Sequence, residues 1–480
     1  MPPPHPRAIL AATILGSAMV FIDSTAVNVA LPVLQRELHA SMAAVQWIVE
    51  AYQLFLSSLL LVGGALSDHF GRKRVFALGV AAFALASAWC GLAPGATQMI
   101  VARAVQGVAG ALLVPSSLAI INASFGSGRG KAIGTWSALT SLTLALGPLL
   151  GGALVQHASW RWVFFINVPL AVIVLALVLT RVPESRDPDA GALDPLGALL
   201  ATAALGGIVF GLIESRPWVS VSGVVLLIVF VLHEHRARSP LVPLALFRSR
   251  LFSATNLLTL LLYAALGGAL FFLPFNLIQI QHYSPTQAGA ANLPMIVMMV
   301  LLSKPAGGLM DRYGARLPLI AGPLIAAAGF ALLALPGIGG SYWMTFFPPS
   351  LVMGLGMAVT VAPLTTAVMS AAGEKSGVAS GINNAVARTA ALVAVAVLGL
   401  VFVHRFTREL EARVQAPPAV KQAILRQSAR LADVPAPPAA RPAVAASFVA
   451  AFRVSMLLGA ALALASSVVA MVGVEGRRSM

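Results

Sequence analysis

The stretch GALSDHFG, Gly64 to Gly71, has a counterpart in GGLMDRYG, Gly307 to Gly314; both read G-x-L-x-D-x-x-G and start 243 residues apart. Each stands at the end of a long apolar run, the second and the tenth along the chain. A weaker echo keeps the register, with Pro115, Gly130 and Gly134 answered by Pro363, Gly377 and Gly381 at spacings of 15 and 4 against 14 and 4. Chance gives one short motif easily, but not two in register. The repeated units lie eight runs apart, the offset expected of two six-helix halves with two extra helices between them. Parallel six-helix repeats suit a carrier whose halves rock about a central site.

Composition agrees with a membrane setting. Of 480 residues, 59% are hydrophobic and only 10% charged, and the mean hydropathy is +0.89. A soluble domain carries about 25% charged residues, so a soluble enzyme is excluded, and so is a soluble body on a single anchor. Cys90 is the only cysteine, which rules out an intrachain disulfide and a cysteine metal site.

About 20 apolar residues cross a hydrocarbon core. Such windows fall at 8–32, 44–64, 75–93, 97–121, 132–155, 163–181, 196–214, 218–232, 253–280, 286–306, 317–336, 343–370, 377–402 and 447–472. The eighth is the shortest. The opening MPPPHPR has no signal-peptide pattern, so the first run is expected as a retained span. With the N-terminus inside, the inner segments hold seventeen Lys and Arg, among them Arg72, Lys73, Arg74, Arg238, Lys375, Arg477 and Arg478, against Arg36, Arg161 and Arg216 in the short outer loops. Cytoplasmic loops collect such cations, so topology explains the net charge of +15 and nucleic acid is not expected as a partner. The expected architecture is an all-α polytopic membrane protein. Residues 1–190 form one six-helix bundle, 191–250 two linker spans and an inner loop, and 251–480 a second bundle with a long outer loop at about 403–446. That loop is expected to carry short amphipathic helices around 420–431.

Over essentially its whole length the chain resembles the major facilitator superfamily, in its fourteen-helix drug:proton antiporter branch. The loop motif G-x-L-a-D-r-x-G-R-K-R is met by Gly64, Leu66, Asp68, Gly71, Arg72, Lys73 and Arg74. R-x-x-Q-G is met by Arg103, Gln106 and Gly107, and IDSTAVNVALP carries Asp23, Thr25, Asn28 and Pro32. WRWVFFINVP, Trp160 to Pro169, is another stretch similar to that branch. The antiporter motif G-x8-G-x3-G-P-x2-G-G is met by Gly134, Gly147, Pro148, Gly151 and Gly152, with Thr143 at the second glycine position. The resemblance implies the major facilitator fold and alternating access. It implies a cytoplasmic latch at Asp68 and Arg72, echoed by Asp311, and no cofactor, the proton gradient being the energy source.

Asp23 stands in an otherwise apolar run. A charge at mid-membrane costs about 2.5–3.5 kcal/mol, so it should face protein or a wet cavity. Either it carries protons, or it is tied permanently to Arg103 as part of the fold. Depth along the helices, at about 1.5 Å per residue, puts Asp23, Arg103 and Glu50 in the outer half of the first bundle, with Gln106 one turn below Arg103. Glu50 reads equally as a proton carrier or as a residue of the outer interface. The Gly147-Pro148 step is expected to break the hydrogen-bond ladder of its helix, with the neighbouring glycines admitting another helix closely. In the second half, Phe271, Phe275, Asn276 and Gln279 could wall an apolar pocket, or face lipid or core. Arg388, beside Asn383 and Asn384, either stabilises a helix end or contacts substrate. Asn28 joins the candidate cavity residues through its place in the first span.

The leading reading is a proton-coupled exporter of amphipathic, preferentially cationic compounds in a bacterial inner membrane, with both termini cytoplasmic. A periplasmic adaptor is left open. The alternatives are a dedicated exporter of one metabolite or antibiotic, and a membrane sensor that transports nothing. No G-x-x-x-x-G-K-[ST] loop and no HExxH is present, which leaves ATP-driven transport and zinc catalysis without their parts.

Overall fold

The computed structural model describes residues 5–188, 193–237, 239–373 and 376–475. Arg238, Lys375, Arg477 and Arg478, counted above among the inner cations, lie outside the described residues. So does the side chain of Asp311.

Every regular element among the described residues is a helix, and fourteen helices are long and apolar enough to cross a membrane. They are α1 (Pro6–Glu37), α2 (Met42–Phe70), α3 (Arg72–Leu92), α4 (Ala96–Ser124), α5 (Arg129–His157), α6 (Trp162–Arg181) and α7 (Pro195–Ile213). Next come α8 (Pro217–Arg236) and α9 (Arg250–Ile280). A short helix, Pro285–Ala290, leads into α10 (Leu293–Tyr313). The last four are α11 (Arg316–Leu333), α12 (Phe347–Ala372), α13 (Ser376–Arg413) and α14 (Pro438–Gly473).

Several helices outrun their apolar windows, the eighth and thirteenth among them. The eighth span has 20 residues, because the polar end HEHR continues the helix. The thirteenth runs on for 38 residues, about 57 Å at 1.5 Å per residue, against a hydrocarbon core of about 30 Å. Phe402, Phe406 and Leu410, one turn apart and fully buried, keep that extension packed. The segment between α13 and α14 carries the helix Pro418–Arg426 and a 3₁₀ segment, Ser428–Asp433.

Both copies of the G-x-L-x-D-x-x-G motif end a helix at their final glycine. Gly71 has φ of 108° and Gly314 has φ of 74°, a left-handed geometry that a side chain would strain. The repeated motif is therefore a repeated turn, between α2 and α3 and between α10 and α11.

The chain divides into two compact units. One is Met1–Gly211 with Pro217–Leu241 and Ser284–Gly289; the other is Leu212–Arg216, Val242–Tyr283 and Ala290–Met480. Thus α7 and α8 group with the first unit. Inside it, α2 and α4 pack backbone to backbone, since a Cβ on Gly107 would collide with the Tyr52 carbonyl. On α3, Leu78, Leu85 and Leu92 form a stripe exposed by 62 to 72%. On α8, Trp218, Val221, Val225, Ile228 and Leu232 do the same. In water such stripes would be a liability; on a membrane-spanning helix they are the surface that lipid covers.

Candidate functional site

The first unit holds an ion pair shut away from solvent. Asp23 sits roughly 25 Å along α1, at 1.5 Å per residue, with 0% of its side chain exposed, and Arg103 of α4 with 1%. Arg103 Nη1 donates to Asp23 Oδ2 at 2.5 Å and to Gln106 Oε1 at 2.7 Å. Its Nε donates to the Ile48 carbonyl of α2 at 3.0 Å. Gln106 Nε2 in turn donates to Asp23 Oδ1 at 3.0 Å, so both carboxylate oxygens are engaged. The guanidinium lies 4.0 Å from the centre of the Tyr52 ring, and the Tyr52 hydroxyl donates to the Val20 carbonyl of α1 at 3.3 Å. Cys90 of α3 reaches Gln106 Oε1 at 3.6 Å.

Asp23, Arg103 and Gln106 are therefore brought together. The helical spacing that places Gln106 one turn from Arg103 makes them a single polar patch on α4. Tyr52 and the Ile48 carbonyl complete the patch; neither is chemically conspicuous in sequence. Arg103 keeps two neutral acceptors and two aromatic rings, Tyr52 and Phe164, beyond Asp23. It can stay solvated by protein if Asp23 takes a proton, which an Arg with a single carboxylate partner could not.

Glu50 of α2 is also fully buried. Neither of its oxygens has a hydrogen-bond partner among the described residues. It shares a helix face with Trp47, whose ring lies 5.8 Å from Phe210 of α7, and with Leu54, which reaches Gly206 of α7. It is thus set apart from the Asp23 network.

At the turn between α2 and α3 Asp68 pairs with Arg72 of its own motif, at 2.9 Å to Nε and 2.8 Å to Nη2. The segment after α6 holds the turn in place. The Arg72 N–H donates to the Ser185 carbonyl at 2.8 Å, and the Asp187 N–H to the Asp68 carbonyl at 2.9 Å. Glu184 accepts from the N–H groups of Lys73 and Arg74 at 3.0 and 3.2 Å. A carboxylate there satisfies orphan donors at a helix N-terminus. Glu184 was not singled out from sequence; the only signal for it is an acid in VPESRDPD, just past a span end.

In the antiporter motif α5 runs unbroken through Pro148, so the ladder does not open into separate helices. A Cβ on Gly147 would collide with Thr25 Oγ1, and one on Gly151 would come within 2.6 Å of the Ala26 carbonyl. These glycines let α5 lie directly on α1. Gly152 meets the backbone of Pro285 in the same unit, whereas Gly134 has open space around it. Thr143 turns its hydroxyl back to the Thr140 carbonyl at 2.7 Å.

The second unit distributes its candidates differently. Phe271 and Phe275 are exposed by 2% and 0%, and Asn276 by 2%; they are packing residues here, not the wall of an open pocket. Phe272 between them stacks on Phe402 at 4.4 Å, which shows that this face of α9 looks onto α13. The π-helical turn Asn276–Ile280 then shifts the register, leaving Gln279 half-buried. Asn383 of α13 donates to Asn256 Oδ1 at 3.1 Å and Thr259 Oγ1 at 2.8 Å on α9. Asn384 is exposed and donates to the Ser380 carbonyl, and Arg388 is half-buried one turn on. Asn28, on α1 of the first unit, is half-buried and donates to the Ser24 carbonyl at 3.3 Å.

Residues 13–396 match the family model described as Major Facilitator Superfamily. The chain is 36% identical to the tetracenomycin C resistance and export protein of Streptomyces glaucescens, over 84% of this chain and 77% of that one. It is 33% identical to the multidrug resistance protein Stp of Mycobacterium tuberculosis, over 87% and 80%. With the multidrug efflux pump LfrA of Mycolicibacterium smegmatis it shares 31% identity over 98% and 96%. Among solved structures it resembles a bacterial homolog of the human lysosomal transporter Spinster, with a TM-score of 0.72, 16% identity, and 98% and 97% coverage. At that identity the likeness speaks for the fold.

Proposed function

The chain belongs to the major facilitator superfamily, as a multi-pass membrane protein and not an enzyme, and on that premise we propose that it is a proton-coupled exporter of small amphipathic compounds, preferentially cationic. The observation that carries this reading is the closed network of Asp23, Arg103 and Gln106. Taking up a proton at Asp23 discharges one half of a buried ion pair. Arg103 is then left on the Ile48 carbonyl, Gln106 and the Tyr52 ring. The two charge states therefore hold α1 and α4 together with different strength, which lets a proton bias a conformational equilibrium. Glu50, buried without a hydrogen-bond partner among the described residues, is a second place where a proton can reside, since an uncompensated carboxylate in such a setting is costly.

The proton gradient is the energy source in this reading, and no cofactor takes part. The excess of cations in the inner segments supports a plasma-membrane orientation with both termini cytoplasmic. The family's efflux pumps favour export over uptake. A narrower reading, export of one antibiotic, is supported by the relative named for tetracenomycin C.

Ethidium movement into liposomes reconstituted with purified protein, under an imposed pH gradient, tests both. Gradient-driven movement that Asp23→Asn abolishes, with dye binding kept, is expected. Transport unchanged in Asp23→Asn would overturn the assignment to this carboxylate and leave Glu50. If no cationic dye moves while a single antibiotic does, the narrower reading replaces the broad one.

A further inference from the structure

A second feature of the first unit runs along a different stripe of α1 from Asp23. Ser17, Phe21, Ser24 and Asn28 follow one another at intervals of 4, 3 and 4 residues, a single helical stripe. Asp23, two residues from Phe21, points about 200° away from it at 100° per residue.

Along this stripe Trp136 of α5 is held by its nitrogen. Its Nε1–H donates to Ser17 Oγ at 3.2 Å, and Ser17 Oγ donates to Ser117 Oγ of α4 at 2.9 Å. Ser17 and Ser117 are fully buried. The ring itself is half-buried and meets the Phe21 ring at 6.5 Å, edge to face at 66°. A Trp that anchors a helix to the membrane interface turns its N–H outward to the headgroups. Trp136 does the reverse, with its N–H committed inward and its ring left at the edge. Its only hydrogen-bond donor is in use, so what it offers a ligand is π surface. The same stripe adds a polar side chain, Asn28, half-buried with its Nδ2 on the Ser24 carbonyl.

We infer that the Phe21–Trp136 pair is a recognition platform on which the flat aromatic, positively charged part of a substrate stacks. Ring faces attract a cation and stack on a planar π system, and neither ring has a donor left to favour an anion. The Ser17 and Ser117 hydroxyls act one step behind, fixing the indole in one orientation across α1, α4 and α5. This deepens the export reading and rests on it for the direction of movement, though not for the binding itself.

Equilibrium binding of ethidium to the purified protein and ethidium transport in liposomes, each for wild type, Trp136→Leu, Trp136→Phe and Ser17→Ala, test the platform. Tetrabutylammonium, a cation without a ring, serves as the control substrate. Loss of the indole is expected to weaken ethidium binding and raise its KM about tenfold, with kcat and the tetrabutylammonium KM held. Trp136→Phe keeps a ring and should recover most of the loss. Ser17→Ala should fall between. Ethidium binding unchanged in Trp136→Leu overturns the platform, as does an equal loss for both cations, which would mark a general packing role. Absence of ethidium binding in wild type overturns it too. If ethidium binds through Trp136 but no gradient moves it, the platform stands and the export reading falls.

Discussion

Arg103 Nε reaches the Ile48 carbonyl at 3.0 Å while its Nη1 reaches Asp23 at 2.5 Å, so one guanidinium ties α1 and α2 to α4. The two halves of this pair are therefore unequal. Asp23 depends on Arg103 and Gln106, whereas Arg103 has a further carbonyl and a ring. Arg103→Ala should strand a buried carboxylate and lower stability by about 3–5 kcal/mol. Asp23→Asn should cost clearly less, because Asn still accepts from Arg103 and the other partners remain. Thermal unfolding of the purified variants in detergent checks the order, and equal losses would contradict it.

Glu50 gives the opposite expectation for stability. Both of its oxygens are buried without hydrogen-bond partners among the described residues, so a neutral isostere removes a cost and no contact seen there. Glu50→Gln should leave the melting temperature unchanged or raised, while reducing the number of protons exchanged per substrate. Glu50→Lys should prevent recovery of folded protein. Simultaneous recording of lumenal pH and dye flux measures the proton count; an unchanged count in Glu50→Gln would remove this residue from coupling.

Much of the first site is legible in sequence for one physical reason. Ionisable groups such as Asp23 and Arg103 are expensive in an apolar helix, so each that occurs there needs a partner, and helix depth limits the choices. Tyr52, the Ile48 carbonyl and the Trp136–Ser17–Ser117 chain carry no such cost and leave no mark in the sequence. Phe271 and Phe275 show the converse problem. An aromatic stripe looks the same whether it faces lipid, a cavity or another helix, and only the stack of Phe272 on Phe402 decides for packing. The unbroken course of α5 through Pro148 has a similar origin, since a membrane helix can carry a proline when neighbours resupply the lost contacts.

Glu184 caps the N-terminus of α3 from outside the helix, accepting from Lys73 and Arg74. Glu184→Ala should remove about 1 kcal/mol of local stability, the usual worth of such a cap. Hydrogen exchange is the direct measurement, with faster exchange expected at Lys73, Arg74 and Arg72, whose amide is bound to the same strap. Amides deep in α3, around Phe83, should not change. Uniform acceleration along the helix would mean that the substitution unfolds the unit and not the turn.

The start of α7 and the end of α8 are joined by a clasp that acidification should release. Asp194 Oδ1 accepts from the Gly197 N–H at 2.8 Å, and both Asp194 oxygens lie 2.9 Å from His233 Nε2. Glu234, 3% exposed, stands beside them. Burial pushes the Asp194 carboxyl upward, but the Gly197 N–H, the His233 ring and Glu234 outweigh it and hold the carboxyl below its ordinary range. A depressed carboxyl stabilises the fold at pH values above its unfolded pKa. That contribution is lost as pH falls through the lower, folded value. The melting temperature of wild type should therefore exceed that of Asp194→Asn near neutrality, and the gap should close on acidification below about pH 4, the ordinary carboxylate range. His233→Leu should narrow the gap already at neutral pH by removing the ring N–H that meets Asp194. A gap that stays constant from neutral to acid pH would show that the aspartate contributes through hydrogen-bond geometry alone, which asparagine fails to copy, and that its charge has no part in holding the two helices.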